Sequence, residues 1–247
     1  MSDLSSTTAI VVGASRGLGR GIATALAEAG TSVVAVARSA SALAELTESS
    51  GLIASEVADA GDPSVAGTLI DRYEPEAVIL VAGATPLMRP LQHQTWETFS
   101  VNWHTDVRIA FHWLREALLK PLRPGSRVIV VSSGAALAGS PLSGGYAGAK
   151  ATQRFITGYA GEEASRAGLG ITFTAVLPRL TPLTELGGPA VRAYAARSGR
   201  SVEEYVEQFG EPLTPEMAGA ALTELLRVDA GTVAPAYLLT GAGLEAL

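Results

Sequence analysis

Ser133, Tyr146 and Lys150 stand thirteen and then four residues apart, and no other residues in the chain are so well placed to move a proton. Residues four apart on a helix share a face, with Cβ atoms roughly 5–6 Å apart, so an ammonium at 150 sits beside a phenol at 146. A free phenol titrates at about pH 10, and a neighbouring positive charge draws that value toward the range where general acid–base work is efficient. A serine hydroxyl nearby can hold the oxygen that gains or loses the proton. Lys150 is one of two lysines, against sixteen arginines. The spacing Ser-x12-Tyr-x3-Lys is expected by chance in only ~0.004 of shuffled sequences of this composition.

Positioning three such groups requires a framework, and the chain supplies one. Apolar, β-branched runs at Ala9 to Val12, Ser32 to Ala37, Ile53 to Val57, Ala77 to Val81, Arg127 to Ser132, Ile171 to Val176 and Ala236 to Leu239 alternate with stretches of helical period. The latter run over Gly19 to Ala29, Ala40 to Glu48, Pro63 to Tyr73, Trp96 to Leu119, Tyr146 to Arg166 and Pro215 to Val228. Such alternation predicts a doubly wound parallel sheet with helices on both faces. The 247 residues show no compositional break and are read as one α/β domain. Residues 178–212 interrupt the rhythm with Pro178, Pro182 and Gly187-Gly188-Pro189, then two short helical stretches around Ala190 to Ala196 and Val202 to Phe209. An insert there is expected to cover the ligand crevice, which lies beyond the carboxyl ends of the strands.

Composition narrows the function. A net charge of −6 with scattered basic residues gives no stripe for nucleic acid. The chain has no cysteine, which excludes disulfides and thiolate chemistry. His93, His104 and His112 are too few and wrongly spaced for a metal site, so no metal is expected. No run approaches the eighteen or so apolar residues that span a bilayer, and the amino terminus lacks a basic segment followed by an apolar one; no membrane partner and a cytoplasmic location are expected. Hydrophobic content of 47% and a mean hydropathy of +0.27 predict apolar surface buried between subunits, hence a homo-oligomer, dimer or tetramer.

Directly after the first strand comes Gly13-Ala14-Ser15-Arg16-Gly17-Leu18-Gly19. Glycines allow the tight turn and close approach to a pyrophosphate, and the following helix offers free N–H groups and the positive end of its dipole. Alone, Gly-x3-Gly-x-Gly is weak, arising in roughly 0.3 of shuffles; its strand-turn-helix setting gives it meaning. The second strand ends in Ala37-Arg38-Ser39 with no acid before Glu45. A carboxylate there would hold the ribose of NAD, whereas arginine accommodates the 2′-phosphate of NADP. Arg38 and Arg16 therefore predict NADP(H) in preference to NAD(H), with Ser39 beside Arg38 as a further coenzyme contact. Asp59, with Ala60 beside it, is placed to accept from the adenine amino group or to serve as a cap or turn residue. Ala82-Gly83-Ala84 after the fourth strand lets a cofactor ribose pass close to backbone or simply packs.

In this order and spacing, the glycine turn, Ser133, Tyr146 and Lys150 resemble the short-chain dehydrogenase/reductase family, in its short-subunit branch, over essentially the whole chain. The resemblance implies a Rossmann-like seven-stranded sheet, a nicotinamide cofactor and often a homotetramer. It implies Tyr146 as proton donor, Ser133 as a hydrogen bond to the substrate oxygen, and Lys150 on the nicotinamide ribose. Asn102 matches the family's asparagine that shapes a water-filled proton relay to the lysine. Two departures stand out. Leu80-Val81-Ala82-Gly83 replaces the usual Asn-Asn-Ala-Gly, and Pro178-Arg179 replaces Pro-Gly, with Thr181 or Thr184 left to meet the carboxamide.

The expected activity is NADPH-dependent hydride transfer between the nicotinamide and a carbonyl or alcohol. Two alternatives are a catalytically silent NADP-binding sensor or scaffold and an epimerase or dehydratase that uses the cofactor as an internal redox relay. Leu87, Met88, Leu137, Leu142 and Leu183, with Ser140, Ser143 and Tyr194, are candidates for the substrate wall.

Overall fold

The apolar runs form a sheet whose central strands are buried on both faces. In a computed structural model, which describes residues 4–179 and 181–247, the strands are β1 Thr8–Val12, β2 Ser32–Ala37, β3 Ile53–Val57, β4 Ala77–Leu80, β5 Arg127–Val131, β6 Thr172–Pro178, β7 Ala236–Thr240 and β8 Gly243–Ala246. Their order is β3-β2-β1-β4-β5-β6-β7-β8, parallel except for the antiparallel β7–β8 pair. This is a Rossmann-like doubly wound sheet. Eight strands stand where seven are expected. The extra one is a four-residue edge strand after a tight turn through Ala242, too short and too mixed in character to register as an apolar run.

Alternation along the strands sorts the core into two layers. Ala9 and Val11 face one side with α1 (Gly17–Glu28), α2 (Ala40–Glu48) and α10 (Pro215–Arg227). Ile10 and Val12 face the other, against α3 (Pro63–Tyr73), α5 (Arg108–Leu119) and α7 (Tyr146–Arg166). Trp113 is fully buried in this second layer and donates its indole N–H to the Ala60 carbonyl at 3.2 Å. It is a core tryptophan, whereas Trp96 and Trp103 are exposed.

The expected single helix over Trp96 to Leu119 is broken. α4 (Trp96–Asn102) passes into a wider π-helical turn at Trp103–Val107 before α5 begins. Such turns occur where side chains intrude on the helical ladder, often at functional sites. Within this one lies Asp106, wholly buried, whose backbone carbonyl takes a hydrogen bond from Gln153 Nε2 at 2.9 Å.

Register aligns the carboxyl ends of the central strands. Val12 pairs with both Val36 and Leu80, and Leu80 with Val130. Chain order reverses between β1 and β4, which opens the crevice where ligands of such sheets sit. Beyond β6, the insert supplies α8 (Gly187–Ser198) and α9 (Val202–Glu207), matching the two short helical stretches expected there; residue 180 of that segment lies outside the described residues. Among the described residues no helix is long and apolar enough to cross a membrane.

Candidate active site

A cleft of about 680 Å³ opens at the carboxyl ends of β1, β4, β5 and β6, and Ser133, Tyr146 and Lys150 all line it. Each is held by local chemistry. β5 ends just before Ser132 and Ser133, which lead into the short helix α6 (Ala135–Ala138), and Ser132 Oγ donates to the Lys150 carbonyl at 2.7 Å, tying strand end to helix α7. Gly145 caps the start of α7 and donates its N–H to the Phe99 carbonyl of α4 at 3.0 Å. A Cβ at 145 would stand 2.4 Å from that carbonyl oxygen, so only glycine lets α7 begin there and present Tyr146 to the cleft. Ser133 Oγ accepts from the Ala135 N–H at 3.2 Å; among the described residues nothing takes its proton, which leaves it free to donate into the cleft.

Lys150 is almost wholly buried. Its ammonium lies 5.6 Å from the centre of the Tyr146 ring, 3.1 Å from Asp106 Oδ2 and 3.0 Å from Gln153 Oε1, to which it donates. Burial by itself pulls the ammonium pKa down, but the Asp106 carboxylate, and then Tyr146, more than offset this and hold it above the ordinary lysine value. Asp106 Oδ1 is satisfied separately, accepting from Ala84 N–H at 2.8 Å and from Asn102 Nδ2 at 3.2 Å. A Cβ on Gly83 would meet Asp106 Oδ2 at 2.7 Å, so this carboxylate forms part of the cleft floor. Because the Lys150 pKa is raised on folding, the pair's contribution to stability is complete below the ordinary lysine value, about 10.4, and is lost as pH rises through the folded value. The midpoint of urea unfolding should owe no pH dependence to this group up to about pH 10, then fall beyond it more steeply in the wild type than in Lys150→Met.

Asp106, Gln153 and Ser132 were not foreseen from the sequence. Asn102, placed there beside the lysine, lies beneath the cleft and does not line it. Its side-chain amide donates to the Ala84 carbonyl at 2.7 Å as well as to Asp106, so it touches Lys150 only through the carboxylate.

The glycine turn is built as expected. Gly13 and Gly17 adopt positive φ of 91° and 50°, and a Cβ at Gly13 would come within 2.6 Å of Ala82 N, while one at Gly19 would fall 2.0 Å from the Gly13 oxygen. No side chain caps the start of α1, so its first N–H groups remain available to an anion. Gly13, Ser15, Arg16, Gly17, Leu18 and Gly19 line the cleft, as do Arg38, Asp59, Ala60, Ala82, Gly83, Pro178 and Thr181. These features fit a dinucleotide: a cradle that side chains would fill, and an uncapped helix end beside it.

Several positions differ from expectation. Ser39 does not line the cleft; its Oγ accepts from Ala42 N–H at 3.4 Å and caps α2. Asp59 accepts from Gly61 N–H at 2.9 Å, the turn role that is one of the two expected of it, while still lining the cleft. Arg16 is ion-paired at 2.5 Å with Glu185 of the insert, both side chains mostly exposed. Arg38 has no ion pair among the described residues. Thr181 and Thr184 share a hydroxyl contact of 3.2 Å, and Thr184 Oγ1 accepts from Gly187 N–H at 2.9 Å. Of the foreseen substrate wall, Leu137, Ser140 and Tyr194 line the cleft. Leu142 and Ser143 are buried, Met88 half-buried, and Leu87 and Leu183 exposed, all outside it. No cluster of three or more metal-ligating side chains occurs among the described residues.

The profile of the short chain dehydrogenase family matches residues 7–194. The hydroxynaphthalene reductase-like protein Arp2 of Metarhizium majus (strain ARSEF 297) is 30% identical over 192 residues, covering 71% of this chain and 68% of that protein. Its counterpart in Metarhizium robertsii (strain ARSEF 23 / ATCC MYA-3075) is 30% identical over 170 residues, 62% of this chain and 61% of the other. Among solved structures, a variant of actinorhodin polyketide ketoreductase with NADPH superposes with a TM-score of 0.81 at 22% identity, over 98% of each chain. A short chain dehydrogenase from Mycobacterium avium gives 0.78 at 21%, over all of this chain and 86% of that one. At that identity the two structures speak to fold alone.

Proposed function

Since the chain belongs to the short-chain dehydrogenase family of oxidoreductases, we propose that it reduces a ketone to an alcohol with NADPH, Tyr146 giving the proton. The observation that carries this reading is that Ser133, Tyr146 and Lys150 line the same cleft as the glycine turn. The name of its relative, a hydroxynaphthalene reductase-like protein, favours reduction, and an aromatic carbonyl compound as substrate.

When bound, the nicotinamide cofactor supplies the hydride. The chain's own residues do the rest. The glycine turn and the start of α1 hold the pyrophosphate, Arg38 and Arg16 the 2′-phosphate, and Asp59 with Ala60 the adenine end. Ala82 and Gly83 pass close to the ribose, Lys150 bonds it, and Pro178 and Thr181 border the carboxamide. Ser133 donates to the carbonyl oxygen of the substrate, and Tyr146 transfers its phenolic proton to that oxygen as negative charge gathers there. Lys150, kept charged by Asp106, places a positive charge next to the phenol. The insert covers the substrate half: the Tyr194 hydroxyl shares a 2.8 Å hydrogen bond with Ser140 Oγ and accepts from Leu142 N–H at 3.1 Å. Exposed Phe111 on α5 and Phe155 and Tyr159 on α7 support a homo-oligomer assembled through those helices.

Consumption of NADPH in step with alcohol formed, over a panel of ketones, tests the reaction. Coenzyme bound but never consumed would replace it with a sensor, and turnover without net consumption with an internal relay. Coenzyme choice has a separate readout. NADP should raise the melting temperature more than NAD at equal concentration, because binding to the native state stabilises by RT ln(1 + [L]/Kd). In Arg38→Ala the two shifts should converge; equal shifts in the wild type would defeat the phosphate clamp.

A further inference from the structure

Four cations and three acids line the cleft, and their pairings are uneven. Asp106 is committed to Lys150, Glu185 to Arg16, and Asp59 to the Gly61 N–H. Arg38 and Arg179 are left without a carboxylate partner among the described residues. Arg38 lies at the adenosine end, where the proposed coenzyme brings its own phosphate. Arg179 lies at the end of β6, beside the loop that carries Ser133.

Its root is fixed. Arg179 leaves the end of β6 with its N–H bonded to the Leu239 carbonyl at 2.8 Å, and the preceding Pro178 carbonyl accepts from Gly134 N–H at 2.8 Å. A Cβ on Gly134, the residue after Ser133, would stand 3.6 Å from Arg179 Cγ, so the stem of this side chain runs alongside Gly134 in the loop that carries Ser133. Its guanidinium carbon lies 5.8 Å from the centre of the Phe209 ring. Phe209 in turn continues a row of rings contributed by the insert: Tyr205 is 5.3 Å from it, and Tyr194 stacks on Tyr205 at 6.3 Å with 11° between planes. All three rings are half-buried and line the cleft. An aromatic ring in that half gains edge or face contacts with this row. A guanidinium held over a ring in this way still offers its fork of donors to an anion.

We propose that the substrate half of the cleft is a subsite for an aromatic ketone carrying an acidic group such as a carboxylate, with Arg179 receiving the anion and the Tyr194, Tyr205 and Phe209 rings flanking the aromatic body. This rests on the reductase reading only for the identity of the reacting carbonyl. The charge and the rings are properties of the cleft itself. Glycine, expected at this position from the family resemblance, would supply neither the charge nor the stem.

The test compares 4-acetylbenzoate with its methyl ester, two ketones alike except for the charge, by calorimetry on the protein saturated with NADP+, where no reduction proceeds. The acid is expected to bind at least about tenfold more tightly than the ester, a preference that weakens as ionic strength rises. In Arg179→Gln the ratio should fall to near one, and in Arg179→Lys, which keeps the charge but not the fork, much of it should remain. An acid that binds no better than the ester, a preference that survives in Arg179→Gln, or a failure of both compounds to bind would overturn the proposal. NADPH oxidation with the same two ketones is read separately: a binding preference without turnover defeats the reductase reading and leaves the subsite standing.

Discussion

Tyr146→Phe is expected to lower kcat for ketone reduction by about 10²–10⁴-fold, the usual worth of a positioned general acid. Only the hydroxyl is removed. The ring, which is almost fully buried at 8% exposure, stays as packing, so the melting temperature should barely move. Binding of NADPH, followed by its fluorescence, should persist, because the glycine turn and Arg38 are untouched. A variant that turns over like the wild type would mean that another group donates the proton. Ser133→Ala is the companion measurement, since loss of a donor to the developing oxyanion should also reduce kcat while leaving the coenzyme contacts at the adenosine end alone.

A second large effect concerns stability. Asp106→Ala leaves the Lys150 ammonium buried with only Gln153 and the edge of the Tyr146 environment to answer it, and removing one partner of a buried ion pair costs about 3–5 kcal/mol. For a domain of this size each kcal/mol moves the melting temperature by roughly 2–4 °C, so a drop on the order of 10 °C is expected. The double variant Asp106→Leu with Lys150→Met removes both charges and should regain much of that loss, because well-packed apolar replacements of a buried pair are often neutral or better. If the single variant melts with the wild type, the pair contributes nothing and the 3.1 Å contact is incidental. Activity should be lost in both variants, so stability and turnover separate the two roles of the lysine.

What could be read in the sequence was what local pattern and fixed spacing carry. The alternation of apolar strands with helices led to the doubly wound sheet, and the glycine turn sat where strand-to-helix context placed it. Ser133, Tyr146 and Lys150 announced themselves through one spacing. Asp106 did not. An acid on a long amphipathic helix reads as solvent-facing, and its burial depends on the π-helical turn at Trp103–Val107, which turns it toward a lysine 44 positions further along the chain. Its one sequence signal was its place four residues after Asn102, a spacing that would have joined the two had the asparagine been asked what it bonded. Ser39 misled in the opposite way. Next to Arg38 at the end of β2 it resembled a coenzyme contact, yet a serine ahead of a helix is first of all an N-cap, and that is the role its oxygen fills. The Arg16–Glu185 pair joins residues 169 apart, and no local rule connects them.

That last pair bears on the sequence of events in a catalytic cycle. A phosphate carries more charge than a carboxylate and binds a guanidinium more strongly, so on the proposed reading a 2′-phosphate arriving at Arg16 draws it away from Glu185 and unfastens the insert from the dinucleotide loop. The ketone would then enter a site already loosened by its coenzyme, and the steady-state kinetics should be ordered, NADPH first and NADP+ last. In Glu185→Gln, with the fastening gone from the outset, that obligation should relax toward random addition.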